Sequence, residues 1–261
     1  MTKQKGYVDA DYLKLAAEMT RPAKERSYTA MHLQPGQRAL DVGCGPATDT
    51  INLARLLGPE GRVVGVDFDP EMIAKAEARA EAAGVAGRVT HRAGDATSLP
   101  FEADEFDACR SERLFEHLTH PEKALAEMAR VTRRGGWVAV LDTDWATLSF
   151  DSPHTDLERR LVRVHAEHGL NNGYSGRQLY RLFRRQGLQD ITIEPIPLFT
   201  THYGFARLIA RLDQVEADAV RLGIATEMEI AAWQADLEAA QAEEAFFAGL
   251  GMVLATGRKQ E

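Results

Sequence analysis

The chain has 261 residues, of which 44% are hydrophobic, so it is long enough to bury the core of one α/β domain together with an insertion or cap. Lys and Arg total 31 against 39 Asp and Glu, and the resulting net charge of −8 disfavours a polyphosphate such as nucleic acid as a partner. Two cysteines, Cys44 and Cys109, are too few for a disulfide framework, and we expect both to be buried. Since no run approaches the roughly 20 apolar residues of a membrane span and no signal-peptide core is visible, we expect a cytoplasmic protein.

Short apolar runs alternate with helical periodicity through the first half of the chain, which predicts a parallel sheet with helices on both faces. We expect helices after the first, second and fourth of these runs, the second of them capped by Asp69 with Pro70 in its first turn. The expected strands are RALDV (38–42), RVVGVD (62–67), RVTHRAGD (88–95), EFDACRS (105–111) and GGWVAVLDTD (135–144).

The second half of the chain is more helical. A helix is expected from Ser152 to about Gly169, another from Ser175, and two further strands at DITIEPI (190–196) and FFAGLGMVLATGRK (246–259). Between these strands lies an insertion with two apolar stripes, the first continuous from Phe205 to Leu222 through Leu208 and the second starting at the capping box of Thr226 and Glu229. The spacing favours a helical hairpin packed on itself or on the sheet edge, with a lid or a dimer surface as the alternative.

These elements predict an α/β fold, a doubly wound Rossmann-like sheet of about seven strands with helical cap insertions. The expected divisions are an N-terminal helical lid (1–37), a core (38–145), a helical cap insertion (146–174), a core helix and strand (175–200), a helical insertion (201–245) and a terminal core strand (246–261).

The stretch LDVGCGPATD, residues 40–49, places two glycines directly behind the first expected strand. Ligands of open α/β sheets bind beyond the carboxyl ends of the strands, and glycine lets a ligand lie against bare backbone. Asp67, which ends the second strand, is suited to accept hydrogen bonds from the two hydroxyls of a ribose. The third glycine of the dinucleotide fingerprint is absent, and Asp41 would oppose a pyrophosphate, so an NAD-dependent oxidoreductase is the weaker alternative.

Five motifs in this order resemble the class I S-adenosylmethionine-dependent methyltransferases, particularly their ubiquinone/menaquinone-biosynthesis-like small-molecule branch. The resemblance extends over roughly Arg38 to Asp144, with a looser match beyond, and departs from the family at Ala47, where a third glycine is usual. The motifs are LDVGCGPA, VVGVDFDPEMI, AGDATSLPF, EFDACRSERLFEHL and VTRRGGWVAVLD.

The resemblance implies S-adenosylmethionine (SAM) as cofactor and S-adenosylhomocysteine as product. It implies that the methionine portion contacts the end of the first strand and its loop, together with the end of the fourth strand, through Asp41, Gly43, Gly45 and Ser111. It assigns Asp67 to the ribose. Around the adenine it implies two side chains after the second strand and two residues after the third: Phe68, Met72, Asp95 and Ala96.

Methyl transfer from a sulfonium needs chiefly in-line placement of the acceptor, and a base only if the acceptor must lose a proton. The candidate catalytic residues are Glu112, His117 and Asp144. Further polar residues near the expected mouth, none favoured by spacing, are Asp142, His165, His168, His202, Tyr203, Arg110 and Arg177. A surface or packing role is favoured for His165 and His168, and a surface ion pair for Arg110 and Arg177.

The expected partner is a small-molecule substrate, with carbon, oxygen or nitrogen as acceptor, and we expect no metal. The run RSERLFEHL replaces the Asn/Asp-Pro-Pro-aromatic motif of nucleic-acid amino-methyltransferases, which further disfavours DNA or RNA. A homodimer through the helical insertions and a non-catalytic nucleoside-binding protein remain open. Three tyrosines of the N-terminal segment are candidates to close over the cofactor: Tyr7, Tyr12 and Tyr28.

Overall fold

A computed structural model describes residues 10–261 of the chain, with side chains described from Thr20 onward. The expectations for Tyr7 and the Tyr12 side chain lie outside the described residues. The strands are β1 (Arg38–Val42), β2 (Arg62–Asp67), β3 (Val89–Ala93), β4 (Phe106–Glu112), β5 (Thr132–Phe150), β6 (Gln189–Thr200) and β7 (Ala248–Arg258). The helices are α1 (Ala10–Thr29), α2 (Thr48–Leu56), α3 (Pro70–Ala82), α4 (Pro121–Val131), α5 (Thr155–Val164), α6 (Ser175–Arg185), α7 (Tyr203–Ile209), α8 (Leu212–Arg221) and α9 (Glu227–Ala242).

The seven strands form one sheet in the order β3-β2-β1-β4-β5-β7-β6. Strands β1 to β5 pair in parallel with one another, while β7 runs antiparallel to both β5 and β6. The strand order reverses between β1 and β4, and a crevice opens at such a switch point beyond the carboxyl ends of the strands. The doubly wound sheet predicted from the sequence is confirmed, and its ligand edge is fixed by this topology.

Alternate residues of β1 face opposite layers of helices, as the twofold period of a strand requires. Ala39 packs with the apolar faces of α2 and α3, whereas Leu40 packs with those of α4 and α6. Helices α5, α7, α8 and α9 form a cap with a third core of its own. This core contains Trp233 of α9 and Phe150 from the end of β5. The cap therefore has its own apolar core and is joined to the sheet through the long strand β5.

Local signals place the helix starts where the sequence predicts them. The Asp69 carboxylate accepts the Glu71 N–H at 2.8 Å, and Pro70 occupies the first turn of α3. Thr226 and Glu229 form the predicted capping box of α9. The Ser152–Gly169 helix begins instead at Thr155 and ends in a π-helical turn from His165 to Gly169.

The prediction that the first apolar stripe of the insertion forms one continuous helix is wrong. Arg211 has a left-handed backbone, φ +50°, which ends α7 and starts α8 in a new direction. Leu208 and Leu222, expected on the apolar face, are substantially exposed because the break rotates them away from the core. Among residues 10–261, no helix combines the length and apolar character that crossing a bilayer requires.

Candidate functional site

A cavity of about 540 Å³ lies at the carboxyl edge of the sheet, beside the switch point between β1 and β4. One side is formed by the loops that follow β1, β2 and β3, and the other by the segment after β4 and by the cap. Its volume falls within the usual range of small-molecule sites. The predicted residues that line it are Gly43, Gly45, Asp67, Phe68, Met72, Asp95, Ala96, Glu112 and His117.

The glycine loop is held against β2 by its backbone. Gly43 and Gly45 have φ angles of +75° and +49°, a conformation that glycine adopts without steric cost. The Gly43 N–H donates to the Val66 carbonyl at 2.7 Å, and a Cβ at Gly43 would lie 3.2 Å from the Leu114 side chain. The loop thus presents bare backbone to the cavity and leaves no room for a side chain at Gly43.

Asp67 is fixed at the end of β2 by two backbone donors. Its Oδ2 accepts the Gly45 N–H at 2.9 Å and its Oδ1 accepts the Asp69 N–H at 3.0 Å. Burial raises the pKa of Asp67 above its ordinary value, while these two hydrogen bonds oppose the shift. The carboxylate keeps acceptor capacity beyond these two bonds, so it can also receive ligand hydroxyls.

The neighbouring walls combine apolar and polar surface. Met72 is buried, whereas Phe68 is 59% exposed at the cavity rim. Asp95 Oδ1 accepts both the N–H and the hydroxyl of Thr97 at 2.8 Å, which orients the carboxylate. With Ala96, these residues form a mixed surface that can pack a flat ring and accept a hydrogen bond from its edge.

Two predicted cofactor contacts, Asp41 and Ser111, are not part of the cavity wall. Both are buried in the sheet, and Asp41 Oδ1 lies 3.1 Å from the Arg110 guanidinium. Arg110 is fully buried, so the surface ion pair expected for it is wrong. The loop after β1 therefore rests on an ion pair inside the protein.

Arg110 belongs to a buried charge network with Lys24 of α1. Lys24 lies 2.8 Å from Asp49 and 2.5 Å from Glu112, and Arg110 lies 3.0 Å from Glu112. Burial raises the pKa of Asp41 to about 7. Burial also acts to raise the pKa of Asp49, but the charges of Arg110 and Lys24 outweigh it and hold that pKa below its usual range. Arg113 lies 3.6 Å from Glu112, so Lys24, Arg110 and Arg113 offset the carboxylates of Asp41, Asp49 and Glu112 beneath the glycine loop.

The candidate catalytic residues are placed differently from one another. Glu112 lines the cavity, but its carboxylate is held by Lys24 and Arg110. His117 lines the cavity, and burial, reinforced by nearby Arg113 and Arg211, lowers its pKa to about 4. Asp144 lies outside the cavity wall and pairs with Arg177 at 2.6 Å. Of these three residues, His117 is the one that lines the cavity without an ion pair to a cation.

Sequence reasoning missed Glu116 and Trp145, which converge with His165 at the cap end of the cavity. Glu116 is 3% exposed, its Oε2 accepts the Trp145 indole N–H at 2.7 Å, and burial raises its pKa to about 7. His165, expected in a surface or packing role, is buried in the cavity wall, whereas His168 is exposed. Nothing in the local sequence marks these residues as part of a site, because the contacts that bring them together are long-range.

No three side chains of the His, Cys, Asp or Glu type are grouped to hold a metal within residues 20–261. His117 ends a short 3₁₀ turn, whereas His120 lies directly before α4 with its side chain more than half exposed.

A family model described as a methyltransferase domain matches residues 39–136, the part of the chain that carries the glycine loop, Asp67 and Asp95. The chain is 32% identical over 195 residues to a demethylmenaquinone methyltransferase of Geobacillus kaustophilus, covering 68% of this chain and 82% of that protein. It is 37% identical over 179 residues to a 37.1 kDa protein of transposon TN4556 from Streptomyces fradiae. The chain spans about half the length of that transposon protein, 51%.

Solved structures share the fold. The YcgJ protein of Bacillus subtilis superposes with a TM-score of 0.66 at 20% identity, over 92% of this chain and 99% of that one. Geranyl diphosphate C-methyltransferase from Streptomyces coelicolor, solved with S-adenosyl-L-homocysteine, gives 0.59 at 17% identity, over 99% of this chain and 89% of that one. The chain belongs to the class I SAM-dependent methyltransferase family, in its ubiquinone/menaquinone-biosynthesis-like branch, whose cofactor is SAM.

Proposed function

We propose that this methyltransferase transfers the methyl group of SAM to a small molecule that is enclosed between the sheet edge and the cap. The observation that carries this proposal is one continuous cavity that reaches from the glycine loop and Asp67 to Glu116 and His165. A site of this shape holds the two reactants side by side, and such placement can supply roughly 7 to 11 kcal/mol of the barrier to reaction.

The residues of the loop end fit the cofactor. The bare backbone at Gly43 admits the amino-acid tail, where a Cβ would meet Leu114. Asp67 is placed to accept the ribose hydroxyls, and Asp95 to accept the adenine amino group next to Met72. Asp41 and Ser111 support this loop from behind rather than touching the ligand.

When bound, SAM supplies an activated methyl group on a cationic sulfonium. Behind the loop, the carboxylates of Asp41, Asp49 and Glu112 offset the charges of Lys24, Arg110 and Arg113, so the buried cations do not oppose this positive charge.

The acceptor end supports a small substrate rather than a polymer. The cap closes this end with Trp145, His165, Leu170 and Ile209, and the net charge of −8 argues against nucleic acid. A cytoplasmic location is consistent with the sequence. A homodimer through the insertion 201–245 stays a prediction, since the buried stripes of that insertion pack within the chain.

Calorimetry with S-adenosylhomocysteine tests the proposal. We expect binding by the wild type and roughly 10- to 100-fold weaker binding by Asp67→Asn, because the substitution removes a charged hydrogen-bond acceptor. Asp151→Asn, an exposed carboxylate outside the cavity, is the matched control and should bind like the wild type.

Equal binding by Asp67→Asn and wild type would overturn the role of Asp67. Binding of NADH with displacement of S-adenosylhomocysteine would favour the oxidoreductase alternative. Incubation with methyl-labelled SAM and fractionated metabolites then separates an enzyme from a non-catalytic nucleoside-binding protein, because only the enzyme transfers the label.

A further inference from the structure

His165 is a buried polar side chain that the protein leaves without partners. It is 4% exposed and lines the cavity, yet neither ring nitrogen has a hydrogen-bond partner within the described residues. Leaving a buried donor and acceptor unpaired costs free energy, and native proteins rarely tolerate it without a reason. His165 also starts a π-helical turn, a distortion that is frequent at functional sites. A ligand that supplies the missing partners explains both features.

The indole ring of Trp145 contacts both Glu116 and His165. The Trp145 N–H donates to Glu116 Oε2 at 2.7 Å, and the His165 ring meets the Trp145 ring edge to face at 4.4 Å between centroids. Trp145 therefore holds Glu116 and His165 in a fixed relation in the cavity wall. Glu116 Oε1, the oxygen that Trp145 does not hold, is 3.4 Å from His117 Nε2.

The surroundings of His165 combine apolar side chains with the cationic Arg211. Leu170 and Ile209 line the same end of the cavity as Trp145. Arg211 also lines it and lies close enough to His165 for its charge to help lower the pKa of that histidine, after burial. Arg211 holds this place with a left-handed backbone, which is uncommon for a bulky residue and is often retained at functional sites.

We infer that Glu116 and His165 form the acceptor subsite, that this subsite takes an aromatic molecule with a phenol-type hydroxyl, and that Glu116 is the base for its methylation. The inference rests on the proposed function. An aromatic body fits the wall of Trp145, Leu170 and Ile209, and the hydroxyl supplies the partner that His165 lacks.

The proton balance favours oxygen over nitrogen as the acceptor atom. The hydroxyl O–H bond breaks with its proton passing to Glu116 Oε1, and an oxygen lone pair forms the new O–CH₃ bond. The methyl group's bond to the donor sulfur breaks with its electron pair left on sulfur, so a methyl ether and a neutral sulfide result. A phenol with a pKa near 10 can yield its proton to a carboxylate of raised pKa, whereas a neutral amine needs no base before methyl transfer.

Neighbouring charges define the pH range in which Glu116 can act. Burial raises the pKa of Glu116 to about 7, Arg113 opposes this shift, and Glu112 reinforces it. Asp142 of β5 also interacts with Glu116. His117 faces the carboxylate as a neutral ring, because its own pKa is lowered to about 4 by burial. The rate should therefore rise with pH as Glu116 ionises and level off above about pH 7.

The test uses one- and two-ring aromatic probes in three matched forms, hydroxyl, amine and thiol, with methyl-labelled SAM. We expect the wild type to methylate the hydroxyl form preferentially. Glu116→Gln should lower kcat by roughly 10²- to 10⁴-fold and remove the acidic limb of the pH profile. Its matched control is Glu122→Gln, an exposed carboxylate at the start of α4.

Two further variants separate positioning from folding. His165→Gln should raise KM for the hydroxyl probe roughly 10-fold with a smaller effect on kcat, while His168→Gln, in the same turn, should leave both unchanged. Trp145→Phe removes the hydrogen bond that lowers the Glu116 pKa and should move the acidic limb to higher pH. In wild type bound to S-adenosylhomocysteine, Trp145 emission should titrate near pH 7, and Glu116→Gln should abolish this transition.

The outcomes distinguish this inference from the proposed function. Absence of S-adenosylhomocysteine binding by the wild type would defeat the proposed function itself. With that binding intact, failure to methylate the hydroxyl probes, preference for the amine or thiol forms, or wild-type rates in Glu116→Gln would each overturn the inference.

Discussion

At the scale of single residues, Gly43 and Gly45 share a left-handed backbone but differ in their surroundings. A Cβ at Gly43 would lie 3.2 Å from Leu114, whereas a Cβ at Gly45 would meet nothing within 4 Å. The left-handed backbone strains an alanine at either position, and only alanine at Gly43 must also displace the Leu114 side chain.

We expect Gly45→Ala to lower the free energy of unfolding by about 1 kcal/mol and Gly43→Ala by roughly 1 kcal/mol more. Both glycines line the cavity, but only a Cβ at Gly43 displaces Leu114, another residue of its wall, so Gly43→Ala should weaken S-adenosylhomocysteine binding more than Gly45→Ala. Urea unfolding and calorimetry on the two variants measure these effects. A larger loss for Gly45→Ala would contradict the packing argument.

Residue types predicted the edge of the sheet at which the site lies, but not the direction of every side chain. Asp67 and Asp95 follow strands and line the cavity, as the pattern indicated. Asp41 also ends a strand but faces Arg110, because the partner that attracts it is 69 residues away. Glu116 escaped notice for the same reason, since the indole that buries its carboxylate comes from β5.

At the scale of elements, α1 is anchored to the sheet by two kinds of ion pair. Lys24 is buried and contacts Asp49 and Glu112, with side chains no more than 10% exposed. Arg26, on the same helix, pairs with Glu194 of β6, where both side chains are about half exposed. Burial decides the value of each pair, because a lone buried charge is costly while an exposed charge stays solvated.

We expect Lys24→Met to lower the free energy of unfolding by about 3 kcal/mol, since it removes one buried cation from both Asp49 and Glu112. Arg26→Met, the matched control, should cost less than about 1 kcal/mol. Urea unfolding followed by circular dichroism provides both values. Similar costs for the two variants would show that the buried network does not anchor α1.

The elements of the first half were predictable because each strand and helix carries its own signals, such as the Asp69 cap and the glycine turns. The break between α7 and α8 was not, since the apolar spacing from Phe205 to Leu222 is compatible with one helix. What divides it is the backbone of Arg211, which follows from packing against the rest of the cap.

At the scale of the whole molecule, the buried Glu116 carboxylate destabilises the fold when it is ionised. Glu116 is an ordinary acid in the unfolded chain, but burial raises its pKa to about 7 in the fold. Between about pH 4.5 and 7 the folded state binds the extra proton, so stability falls as pH rises through this range and stays reduced above it. A buried carboxylate of this kind lowers stability at neutral pH, a trade that active sites commonly make.

We therefore expect Glu116→Gln to be more stable than the wild type by about 3 kcal/mol at pH 8, with the difference vanishing toward pH 4.5. The amide keeps an acceptor for the Trp145 N–H but carries no charge, so only the electrostatic cost is removed. Urea unfolding at a series of pH values, with Glu122→Gln as the exposed control, measures the difference. If the difference in free energy of unfolding between Glu116→Gln and wild type does not grow from pH 4.5 to 7, ionisation of Glu116 does not destabilise the fold. If the pH–rate profile of Glu116→Gln also lacks its acidic limb, the same carboxylate both lowers the stability of the fold and accepts the substrate proton in this pH range.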